Sequence, residues 1–121
     1  ITAAQEAIKP GVTTADVALT FPSAEVFGVA NEYEVASDAI GHGVGVSAHE
    51  IPTISRAWSL DHPQDIKVGQ VIALHFWDGE AGKGGARIEN IGVVTENGWE
   101  NIYTFPYDGI LLPPYQLRRA V

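Results

Sequence analysis

The 121-residue chain is of single-domain size, large enough for a hydrophobic core, with 45% apolar and 18% charged residues. Its 15 Asp and Glu outnumber 7 Lys and Arg, a net charge of −8 with no basic cluster, which argues against nucleic acid or an anionic membrane surface as partner. The absence of cysteine excludes disulfide and thiolate chemistry, and no apolar run is long enough to span a bilayer.

Thr2 to Ile8 reads as the end of a helix, stopped by Lys9-Pro10-Gly11. With no initiator methionine or signal peptide, and a first residue inside a helical pattern, the chain reads as part of a longer protein. Thr13-Thr14-Ala15-Asp16 offers a capping box that opens a short helix to about Thr20, ended by Phe21-Pro22. Ser23 to Asp38 is expected to be loose. Gln70–Phe76 and Ala86–Thr95, rich in Val and Ile and bounded by glycine, read as strands, with Trp77 to Gly85 as a glycine-laden turn between them. Trp99–Phe105 reads as a third strand and Leu112-Pro113-Pro114 as a terminus. Together these make a single α+β unit.

The stretch Gly41-His42-Gly43-Val44-Gly45-Val46-Ser47-Ala48-His49-Glu50, followed by Ile51-Pro52, concentrates the chemistry. His42 lies between glycines, which permit close backbone approach. Imidazole is the commonest metal ligand and the usual proton carrier near neutral pH. Downstream, folding the hairpin about Gly82 places His75 opposite Glu89. Opposed antiparallel residues have Cβ atoms about 4.5–5.5 Å apart, which lets an imidazole and a carboxylate grip one cation. A plain cross-strand His–Glu hydrogen bond satisfies the same geometry.

The Gly-His stretch resembles that of the pita-bread metallohydrolases (methionine aminopeptidase, Xaa-Pro aminopeptidase, prolidase and creatinase). Their members commonly read Gly-His-Gly-Ile-Gly, then a second His-Glu and a proline. Ile8-Lys9-Pro10-Gly11-Val12-Thr13 resembles the family's Lys-Pro-Gly-Val-Thr turn. Gly85-Ala86-Arg87-Ile88-Glu89-Asn90, running into Val93-Val94-Thr95-Glu96-Asn97-Gly98, resembles its Gly-Val-Arg-Ile-Glu-Asp…Val-Thr-Glu-Asp-Gly. Val68–Leu74 lies where relatives carry Pro-Gly-Met-Val-Phe-Thr-Ile. Ile54-Ser55-Arg56 with Ser59-Leu60-Asp61-His62-Pro63 is similar to an Xaa-Pro-peptidase-like branch. The resemblance runs from about Ile8 to Phe105.

This likeness implies the C-terminal part of a pita-bread catalytic domain, a curved antiparallel sheet flanked by helices. It implies His42 as a metal ligand, Glu89 as the carboxylate bridging two metals, and His49 as an imidazole contacting substrate and transition state. His75 occupies the position of a metal-binding glutamate and is grouped with the ligands. A structural hydrogen bond is the alternative for His49. Arg87 is expected to pair with neighbouring acids. His62 is expected at the surface or at a helix cap, and Trp58, Trp77 and Trp99 as core or rim aromatics.

Three departures stand out. The family's site also uses two aspartates on a strand ahead of the first helix seen here, and Asp16, Asp38, Asp61, Asp65 and Asp78 all stand in the wrong context. Asp38, four residues before His42, also takes a position where many proline-specific members carry another histidine. Histidine at 75 replaces oxygen by nitrogen and removes a charge, which suits Zn, Fe, Ni or Cu better than Mg or Ca. The site could then hold one metal instead of two, favour another metal, or have lost hydrolysis.

The resemblance implies a hydrolase using divalent metal ions (Mn, Co, Zn or Fe), of Xaa-Pro-metallopeptidase type, that cleaves near a peptide amino terminus. A creatinase-like C–N hydrolase, a metal-dependent lyase and a degenerate binding module remain open. The implied partners are a peptide or small amide substrate and a second copy in a full-length homodimer. The expected setting is cytoplasmic, without nucleic acid or membrane. The fragment alone is expected to be inactive.

Overall fold

Proline and glycine at positions 10 and 11 stop the first helix where the sequence predicts. In the computed structural model, residues 1–35, 40–80, 82–106, 109–112 and 116–119 are described. Asp38, Pro113 and Pro114 lie outside the described residues. Helix α1 (Thr2–Ala7) closes on an extended Ile8, and Gly11, at φ 89°, turns the chain toward α2 (Thr14–Ala18). The capping box is present. The Asp16 N–H donates to Thr13 Oγ1, while the Thr13 N–H and hydroxyl donate to the Asp16 carboxylate at 2.7 and 2.8 Å. Those bonds hold the Asp16 carboxyl below its ordinary pKa.

The stretch read as loose contains two short 3-10 turns, Ala24–Phe27 and Glu32–Glu34. The second is capped by Asn31, whose side-chain oxygen accepts from the Tyr33 N–H at 3.0 Å. Such turns rest on local caps and leave no apolar periodicity to read.

Five strands form one antiparallel sheet in the order β2-β1-β3-β4-β5. They are β1 (Gly41–Gly43), β2 (Glu50–Ile54), β3 (Val71–Glu80), β4 (Gly84–Thr95) and β5 (Gly98–Asn101), with helix α3 (Arg56–Ser59) after β2. The β3–β4 ladder pairs His75 with Glu89, as the symmetry about Gly82 predicts. It then continues through Trp77–Arg87 to Glu80–Gly84, so most of the segment read as a turn is strand. Gly79 makes that extension possible, since a Cβ there would sit 2.6 Å from the Gly84 carbonyl oxygen. The third strand stops at Asn101, short of Phe105, although the Ile102 N–H still donates to the Ile91 carbonyl at 3.0 Å. The tail read as a terminus contains a separate two-stranded ladder, β6 (Gly109–Leu112) with β7 (Gln116–Arg119). Pro113 and Pro114, on which the reading as a terminus rests, stand between these two strands in the sequence.

One face of the sheet carries the core. Ile54, Ile72, Leu74 and Val94 pack against Ile8, Val17, Ala18, Phe21 and Ile66. Side chains alternate along a strand, so Ala73 and His75 project from the opposite face. Among the described residues no helix is long and apolar enough to cross a membrane.

Candidate metal centre

Strand β1 is a narrow ribbon between two neighbours, and its composition follows from that position. A Cβ on Gly41 would lie 2.9 Å from the Ala73 carbonyl oxygen and from Leu74 Cδ2. A Cβ on Gly43 would run into the Ile51 carbonyl. Glycine on either side of His42 is therefore a packing requirement, and the histidine is the one side chain this ribbon presents.

His42 pairs across the ladder with Ala73, and His75 pairs with Glu89. Ala73 and His75 share a face, so His42, His75 and Glu89 project from three adjacent strands to the same side, opposite the core. The His42 and His75 ring centroids are 5.5 Å apart. His49, exposed on the connection between β1 and β2, brings its ring centroid to 4.1 Å from that of His42. The three imidazoles form one cluster.

His42 is 5% exposed and its Nδ1 lies 3.1 Å from the Gly43 carbonyl oxygen. A carbonyl can only accept, so Nδ1 carries the proton and the lone pair lies on Nε2. Nε2 is buried and, among the described residues, has no hydrogen-bond partner. A backbone carbonyl fixing one nitrogen while the other is left free is how proteins orient a metal-binding imidazole.

His75 is also buried, and its pKa falls to about 4. Burial is the largest cause, and the Arg87 guanidinium acts in the same direction against the opposing pull of Glu89. It is neutral at physiological pH, the state that ligates.

Glu89 is held differently. Its carboxylate accepts from Arg87 Nη2 at 3.1 Å, the pairing expected for Arg87, and the side chains are 41% and 53% exposed. The Tyr103 hydroxyl donates to the Glu89 backbone carbonyl at 2.9 Å, a contact that sequence reasoning missed. Among the described residues no three His, Asp or Glu side chains are arranged to enclose a metal ion. The fit is therefore that of a half-site. It has an unpartnered buried nitrogen, a neutral imidazole beside it, and a carboxylate on the same face held by an arginine.

His62 is exposed and lies against the Trp58 ring at 4.2 Å, away from this cluster, as a surface residue. Trp99 is a half-buried rim aromatic packed over Gly92.

The family model of metallopeptidase family M24 matches residues 1–96. The chain belongs to family M24. Among curated relatives, the probable dipeptidase PepE of Mycobacterium tuberculosis is 33% identical over 111 residues, covering 92% of this chain and 28% of the relative. A creatinase from a Bacillus species is 33% identical over 113 residues, covering 84% and 26%. Among solved structures, prolidase from Pyrococcus furiosus aligns with a TM-score of 0.67 at 28% identity, covering 87% of this chain and 29% of that one. Methionine aminopeptidase from Thermotoga maritima aligns at 0.56 and 27%, covering 81% and 45%. The α+β, pita-bread architecture implied by the sequence resemblance is thus the observed one. The M24 chain spans less than a third of the length of the curated relatives it matches.

Proposed function

We propose that this chain is the C-terminal part of the catalytic domain of a metal-dependent amide hydrolase, an Xaa-Pro-type metallopeptidase that cleaves near a peptide amino terminus. The observation that carries the reading is the buried, unpartnered Nε2 of His42, on the same sheet face as His75 and Glu89. His42 and His75 would hold one divalent cation. Glu89, released from Arg87, would contribute the carboxylate toward a second. The remaining acidic ligands would come from outside these 121 residues. When bound, such cations polarise the scissile carbonyl and make water nucleophilic near neutral pH.

His49, exposed beside His42, donates a hydrogen bond to the scissile carbonyl oxygen as negative charge develops there, where preorganised donors act most strongly. His75 stays neutral and so adds no positive charge to the site. Arg87 holds the Glu89 carboxylate on the face it shares with His42 and His75. The nitrogen-rich donor set supports Zn, Fe or Co more than Mg. A cytoplasmic homodimer is the form the resemblance supports for the full-length enzyme.

The creatinase likeness supports a second reading, hydrolysis of a non-peptide C–N bond on the same face. Assays of the full-length protein with Xaa-Pro dipeptides and with creatine, before and after chelation, separate the two. Chelator-sensitive dipeptide turnover is expected. Turnover of creatine alone would favour the second reading, and dipeptide turnover that survives complete metal removal would contradict the first.

A further inference from the structure

The Val44–His49 connection is held to the sheet at its start, where the Val44 N–H donates to the Val71 carbonyl at 2.9 Å, and is exposed beyond that point. Val46, Ser47, Ala48 and His49 are all exposed, Val46 completely. The connection is closed from within by one carboxylate. Glu50, paired with Gly43 at the base of the loop, accepts the Ser47 N–H on Oε1 at 2.6 Å. The Gly45 N–H donates to the Ser47 carbonyl at 3.2 Å, turning the chain beneath that bond. The other carboxylate oxygen lies against Gly45, where a Cβ would come within 2.5 Å of Oε2. The ladder register also shifts between His42 and Gly43: Gly43 pairs with Glu50 and not with Pro52, which brings Glu50 to the base of the loop.

We propose that Glu50 is a positioning residue: its carboxylate closes the Val44–His49 loop and sets the His49 imidazole against that of His42. The bond from a backbone N–H to a carboxylate is charge-assisted and short, stronger than a neutral one. His49 adjoins Glu50 in the chain, so orienting Glu50 also orients the peptide that carries His49. An exposed imidazole whose ring lies 4.1 Å from that of His42 takes its position from that backbone. The functional meaning of this inference rests on the reading of His49 as the substrate-facing imidazole, but the geometry does not.

The test is NMR on the 121-residue chain with isotope-labelled histidine, reading NOEs between imidazole rings. The His42–His75 cross-peaks report that the sheet is folded, and the His42–His49 cross-peaks report the loop. Glu50→Ala should abolish the His42–His49 cross-peaks and leave His42–His75 unchanged. Glu50→Gln, whose amide oxygen still accepts from Ser47, should restore them. Gly45→Ala keeps Glu50 but displaces its carboxylate, so it should weaken the same cross-peaks, and it decides the matter if Glu50→Ala fails to fold. Wild-type His42–His49 cross-peaks in both Glu50→Ala and Gly45→Ala would overturn the proposal. So would Glu50→Gln behaving like Glu50→Ala. Because no turnover is measured, a failed hydrolase assay leaves this result standing, and the reverse is also true.

Discussion

His75 and Glu89 stand directly opposite one another on neighbouring antiparallel strands, yet the Glu89 carboxylate is bound to Arg87 two residues back on its own strand. Both members of that ion pair are about half-exposed, a setting in which a salt bridge contributes about 0–1 kcal/mol. Arg87→Ala should therefore shift the urea unfolding free energy by no more than about 1 kcal/mol. A loss of several kcal/mol would show that Arg87 holds the sheet and not merely the carboxylate.

The isolated chain should not bind two cations tightly, nor hydrolyse an Xaa-Pro dipeptide. His42, His75 and Glu89 offer one formal negative charge, too little to offset the repulsion between two dications. Isothermal titration with Mn²⁺, Co²⁺ and Zn²⁺ should show at most one site per chain, preferring Zn²⁺ and lost in His42→Ala. Two tight sites would mean that these 121 residues already hold the ligands attributed to the rest of the protein.

The metal-free chain should lose stability on mild acidification. His75 has a folded pKa of about 4 against an ordinary 6.5, so between those values the unfolded chain binds a proton that the folded chain refuses. Its contribution is fully present above pH 6.5, declines as pH falls toward 4, and is flat below. His75→Gln removes this component, so its urea midpoint should fall less than that of the wild type between neutral pH and the lower end of that window. Parallel pH profiles would contradict the burial argument.

Gly43→Ala should destabilise the sheet by about 1–3 kcal/mol, the usual cost of forcing a group into packed backbone. The obstruction is the Ile51 carbonyl, which belongs to a neighbouring strand and has little room to retreat. Thermal denaturation beside Gly69→Ala, where a Cβ meets no atom within 4 Å and only the φ of 87° is unfavourable, separates clash from conformational strain. Equal losses would argue against the clash.

What the sequence could and could not reveal follows from the range of the forces. The His75–Glu89 pairing was legible because a hairpin symmetric about Gly82 needs only local spacing, and the Thr13–Asp16 cap because both partners lie within one turn. Strand β1 was not. Gly41-His42-Gly43 has no intrinsic strand preference and is extended only because it pairs with β2 and β3 on its two sides. Gly79 reads as a turn residue, whereas in the fold its lack of a Cβ lets β3 approach Gly84 and Gly85 of β4 closely. The role of Glu50 had one clue, an acid directly after His49. A single carboxylate reaching back across a loop leaves no periodic signature.

The central claim, that His42 and His75 ligate a metal on the sheet face opposite the core, is tested most directly by anomalous diffraction from crystals of the Zn²⁺-loaded full-length protein. The account predicts an anomalous peak at coordination distance from His42 Nε2, with His75 in the same coordination sphere and Glu89 turned from Arg87 toward the metal face. A loaded protein whose metal lies elsewhere, with His42 Nε2 still unpartnered, would contradict it.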